Sequence, residues 1–125
     1  MNNEIKERLK DLKIEELIWI VYLGIIFLSF YSNSLERDYF INNNEESKDK
    51  YRKIMILIFS ILVIVYLYFF NDSYKDLKDI DSYDDGKKQK VLLSFIASSF
   101  ILISGIIFLY LAVEDQNLDV ELAFN

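Results

Sequence analysis

The chain has 125 residues, a net charge of −6, 53% hydrophobic and 27% charged residues, and no Pro, Cys or His. The length allows one compact unit. Without His or Cys there is no Ser-His-Asp triad, no Cys-His dyad, no disulfide and no conventional zinc site, and three glycines leave no room for a phosphate-cradling loop.

Residues 1–13 read as an amphipathic helix. Ile5, Leu9 and Leu12 fall on one face, and Glu4/Arg8 and Glu7/Lys10 stand at pairing distances. The segment is expected to lie on the inner leaflet or to pack under a bundle.

A first transmembrane helix is expected over 14–32. Leu17 to Tyr31, LIWIVYLGIIFLSFY, carries no charge, and with Ile14, Glu15 and Glu16 it reaches the roughly 20 residues that a hydrocarbon core requires. It does not read as a cleaved signal peptide, because acids precede it and Phe30-Tyr31-Ser32 is not a small-x-small site. A second span is expected over 54–70, IMILIFSILVIVYLYFF, where Ser60 and two Tyr are the only polar groups. The third, 91–113, VLLSFIASSFILISGIIFLYLAV, is long enough to cross with some tilt. An acidic tail, 114–125, closes the chain. Strands stop after four to eight residues and core helices of soluble proteins keep a polar face, so three such runs specify an all-α integral membrane protein. Trp19, Tyr31, Tyr66, Tyr68 and Tyr110 stand near the ends of the spans as expected interfacial anchors.

The missing prolines suggest that the first two helices continue past the bilayer. Leu28, Ser32, Leu35 and Tyr39 prolong one helical face, as do Phe70, Tyr74 and Leu77. Loops are expected near Asn42 to Asn44 and near Asp81 to Gly86, with Gly86 at positive φ. In the second loop, Asp81-x-Tyr83-x-Asp85-Gly86 lacks the second ligand of an EF-hand, and position 92 is Leu.

Lys and Arg set the expected orientation. Lys6, Arg8, Lys10 and Lys13 precede the first span; Arg37, Lys48, Lys50, Arg52 and Lys53 fill the first loop; Lys75, Lys78, Lys87, Lys88 and Lys90 fill the second; the tail has none. Positive-inside favours a cytoplasmic N-terminus and an outside C-terminus. Abundant Ile, Lys and Asn beside three Ala point to A/T-rich codons, hence a low-GC bacterium and its plasma membrane.

Inside the uncharged runs 17–31, 54–70 and 91–113 there is no ionisable residue apart from tyrosine, which argues against a lone pump, a transporter or an intramembrane protease. The hydroxyls have no base, metal or cofactor motif beside them, so neither an enzyme nor a cofactor is expected. The third span carries a stripe of small residues: Ser94, Ser98, Gly105 and Ala112 share one side of the helix. Small residues let membrane helices approach closely, so this stripe reads as a packing seam, with Gly24 of the first helix or a second copy as its counterpart. The expected role is a non-enzymatic subunit or scaffold of a membrane assembly, contacting lipid and either a protein partner or itself through the third span, with no nucleic acid. The alternatives are a homo-oligomeric channel or holin-like pore, and a membrane-bound immunity or stress protein.

Overall fold

The computed structural model describes residues 2–119; Met1 and residues 120–125 of the acidic tail lie outside the described residues. The chain forms α1 (Asn3–Asn42), α2 (Glu45–Lys78), a short 3-10 turn (Ile80–Ser82) and α3 (Asp85–Glu114). All three long helices are long and apolar enough to cross a membrane.

Residues 3–13 are the first turns of α1 and not a separate element. Asn2 caps the helix by accepting from the Ile5 amide at 2.9 Å, and neither Pro nor Gly interrupts the chain before Gly24. Ile5, Leu9 and Leu12 are all exposed, so their apolar face does not pack under the other helices. Ion pairs within a helix form at Glu45–Lys48 (3.9 Å) and Glu46–Lys50 (3.4 Å) among the described residues, and not at Glu4/Arg8 or Glu7/Lys10.

The first turn takes two residues. Asn43 adopts the left-handed conformation (φ 53°) that ends many helices, and the Asn44 side chain caps α2 by accepting from the Glu46 and Ser47 amides. Asp38 ties the turn together. Its carboxylate accepts from Asn42 Nδ2 at 2.7 Å, Asn44 Nδ2 at 2.8 Å and Ser47 Oγ at 2.5 Å. The second turn differs from expectation, because Gly86 has no positive φ and lies in the first turn of α3. The chain reverses through the 3-10 turn and the extended Tyr83, and Asp84 caps α3 by accepting from the Lys87 amide at 2.8 Å. No left-handed residue is needed there.

α2 lies in the middle. α1 and α3 pack against it antiparallel, and no Cα of α1 comes within 8 Å of one of α3. The buried positions of α1 include Ile18, Ile25 and Ser32, and those of α3 are Val91, Gly105 and Ala112, spaced by seven or fourteen residues. A period of seven is the signature of helices packed at a shallow left-handed angle. Tyr51, Met55, Ile58, Phe59 and Leu62 of α2 form the core between them, with Ile25 and Ala112 closing it from either side. Outward faces remain apolar and bare, with Trp19 at 69% and Phe100 at 66% exposure.

Candidate functional site

Two features follow from this arrangement: a close α2–α3 seam, and a furrow that winds along α2. At the seam, a Cβ on Gly105 would stand 2.7 Å from Cδ2 and 3.0 Å from Cε2 of Tyr66. The missing side chain is therefore the seat of the Tyr66 ring. Two turns of α2 away, towards its start, Phe59 and Phe108 stack with centroids 5.6 Å apart. Towards the other end Ser73 and Ser98 share a hydrogen bond at 2.9 Å, and Phe95 lies against Phe70 and Tyr74. At the far end Arg52 donates to the Val113 carbonyl at 3.1 Å, placing a cation where the α3 dipole favours one.

The structure brings Ser98, Gly105 and Ala112 together on this face. Ser94 stands apart, exposed beside the furrow. Gly24 is not their counterpart: nothing lies within 4 Å of a Cβ placed there. The counterpart is an aromatic side chain, Tyr66, so small meets large and not small meets small. Trp19, Tyr31 and Tyr110 are exposed on outward faces. Tyr66 instead turns inward over Gly105, and Tyr68 lines the charged end of the furrow.

The furrow is left along α2 because α1 and α3 do not meet over it. Phe59, Tyr66, Phe69, Asp72, Asp76 and Asp79 recur every three, four or seven residues and form its floor. Its inner section holds about 260 Å³ and is walled on the α3 side by Phe100, Ile101 and Phe108. A middle section of about 350 Å³ is bounded by Tyr22 of α1 and by Ser94 and Ser98 of α3. The mouth, about 570 Å³, lies between the start of α1 and the end of α2. Tyr66 and Ile101 line both inner and middle sections, and Asp72 lines both middle section and mouth, so neighbouring sections share walls.

Electrostatics change along this path. Asp72 lies beyond the apolar stretch of α2, and its carboxyl is pushed above the ordinary carboxylate value, first by burial and then by Asp11, Asp76 and Glu15, with Lys75 opposing. Asp38, at the other end of the α1–α2 pair, is held below that value by its hydrogen bonds from Ser47 and Asn42 and, more weakly, from Asn44, against an opposing effect of desolvation. Sequence reading missed Tyr22 and the acidic mouth. Asp72, Asp76 and Asp79 share one helical face and are visible as such in the sequence, but Asp11 joins them only through the α1–α2 pairing. Among the described residues no cluster of carboxylates is arranged to hold a metal ion. No protein-family model, curated protein or solved structure matches this chain.

Proposed function

We propose that the chain is a small non-enzymatic integral membrane protein serving as a subunit or scaffold of a membrane assembly. The observation that carries this reading is the layout around α2. α1 and α3 each use one stripe of side chains to pack on α2, which leaves their remaining surface apolar, with Leu23, Phe27 and Phe30 on one side and Phe100, Ile103 and Ile107 on the other exposed. Surfaces of that kind belong against lipid or another membrane helix. The seam residues of α3 are taken up by α2, so any partner meets the outward faces and not the small-residue stripe.

In this reading the N-terminus is cytoplasmic and the C-terminus outside, in the plasma membrane of a bacterium. α1, with 40 residues, is about 60 Å long at 1.5 Å per residue against a hydrocarbon core of about 30 Å. The α1–α2 turn pinned by Asp38 therefore stands outside the bilayer on one side, and the charged mouth stands at the opposite surface.

The test has two parts. Cysteines introduced singly at Asn43, Asn117 and Ser82 enter a background with none. An impermeant maleimide applied to intact cells is expected to label the first two and spare the third; the reverse pattern overturns the orientation. Affinity capture from native membranes followed by mass measurement is expected to give a defined hetero-complex. A ring of identical copies supports a pore instead, and a monomer holding a peptide supports an immunity role.

A further inference from the structure

We propose that the furrow on α2 is a binding site for a single-chain amphiphile with a cationic headgroup, the alkyl chain lying over Tyr66 and the cation held at Asp72. This goes beyond the subunit reading and does not depend on it.

The polarity of the furrow runs in one direction. Its inner section is apolar and aromatic, with Phe59, Phe100 and Phe108. The middle adds the hydroxyls of Ser94 and Ser98 and the phenol of Tyr22. The mouth is charged. An amphiphile has the same sequence of chemistries along its length: chain, polar shoulder, charged head. The inner section holds about 260 Å³ and the middle section about 350 Å³. Both sections are near the lower end of the size range of small-molecule sites, about 300 Å³.

Charge selects the head. The mouth places Glu7, Asp11, Asp72, Asp76 and Asp79 against Lys10, Lys75 and Lys78, leaving an excess of two negative charges. At the junction with the middle section the imbalance is sharper. Asp72 there is partly buried and feels three other carboxylates, Asp11, Asp76 and Glu15, against the single lysine Lys75. A cationic head placed there supplies positive charge, in a partly buried position where screening by salt is weak. An anionic head meets the opposite field. The hydroxyls of Ser94 and the phenol of Tyr22 are positioned beside the path to accept from an ammonium group or to bond its solvation water.

The test uses the full chain in neutral maltoside micelles at pH 7 and dodecylamine carrying a diazirine in its alkyl chain. Cross-links mapped by mass spectrometry are expected on Tyr22, Tyr66 and Ile101, with competition by unlabelled dodecylammonium and much less by dodecyl sulfate. Asp72→Asn is expected to weaken furrow labelling about fivefold, the loss of one partly buried charge pair, and to leave labelling of the outward residues Leu23 and Phe27 unchanged. Ser94→Trp, a plug at a position that α2 does not cover, is expected to abolish furrow labelling. Labelling spread evenly over all apolar faces of the wild-type chain overturns the site. Equal competition by dodecyl sulfate overturns the choice of a cation, and both of these readouts need no variant to fold.

Discussion

The two helix pairs are held by different means. α3 meets α2 along its whole length through shape: a glycine beneath a tyrosine ring, stacked phenylalanines and a shared serine hydrogen bond. α1 meets α2 through branched aliphatics such as Ile18 and Ile25, and its polar contacts are concentrated at the ends. One end is tied by the Asp38 carboxylate. At the other, Asp11 and Glu15 face Asp72 and Asp76 across the gap, like charge against like. The α2–α3 pair is thus sensitive to side-chain volume in its middle, whereas the α1–α2 pair is sensitive to charge at its ends. In the bilayer proposed for these helices, where lipid supplies no hydrophobic drive between them, close packing is one of the means that hold helices together.

The largest effect is expected from the two glycines. Gly105→Leu puts a side chain where the Tyr66 ring already stands, and overpacking of this kind costs about 1–3 kcal/mol. Gly24→Leu meets open space and replaces a poor helix former, so it is expected to be neutral or stabilising by up to about 1 kcal/mol. Ile103→Leu, on the outward face of α3 at 54% exposure, is expected to be silent. Thermal melts in mild detergent read all three. Equal behaviour of the two glycine variants removes the distinction between the helix pairs.

A smaller effect is expected at the ends of the α1–α2 pair. Asp38→Ala removes the acceptor shared by Asn42, Asn44 and Ser47, and spin labels at Arg37 and Asp49 are expected to show a broader distance distribution while labels across the α2–α3 pair do not change. Acid is expected to act oppositely on the two ends. The Asp38 carboxyl is held below its ordinary value of 3.8, so its contribution is complete above that pH and is lost as pH falls through the lower folded value. The Asp72 carboxyl is held above 3.8, so its end is firmest below that pH and loosens as pH rises through the higher folded value. Distances measured across both ends over a pH series are expected to move in opposite senses; a shared direction contradicts the assignment.

How much of this the sequence carries depends on the periodicity of each feature. The three long helices follow from uncharged runs and missing prolines, and the seven-residue steps of Ser98, Gly105 and Ala112 mark the face that α3 turns to α2. The same spacing is present at Ile18, Ile25 and Ser32, yet it is masked because most residues between Leu17 and Leu28 are also apolar. What lies opposite Gly105 is a pairwise fact. Gly24 and Tyr66 are equally available as partners in a linear reading, and only the antiparallel register of α2 and α3 selects the tyrosine. The furrow is less legible again, since its mouth combines the start of α1 with the end of α2, about 60 positions apart in the chain. Gly86 shows the converse: a glycine that looks like a turn signal lies in a helix, because the 3-10 turn and the Asp84 cap complete the reversal before it.

The smallest expected effect separates shape from hydrogen bonding within the α2–α3 pair itself. Ser73 and Ser98 share one hydrogen bond, and either hydroxyl can serve as donor. Removing one partner does not strand the other, because a serine in a membrane helix can turn back to the carbonyl one turn earlier, as Ser99 already does to Phe95 at 2.8 Å. Ser98→Ala and Ser73→Ala are therefore each expected to cost about 0.6 kcal/mol, the average for such bonds between membrane helices. Both changes remove the same bond, so the double variant is expected to cost about as much as either single one. Ser98→Leu keeps Ser73 intact yet widens the seam, and it is expected to resemble Gly105→Leu. If Ser98→Ala and Ser98→Leu prove equally costly, the hydrogen bond and not the close approach holds α3 to α2, and the contrast between the two helix pairs fails at its strongest point.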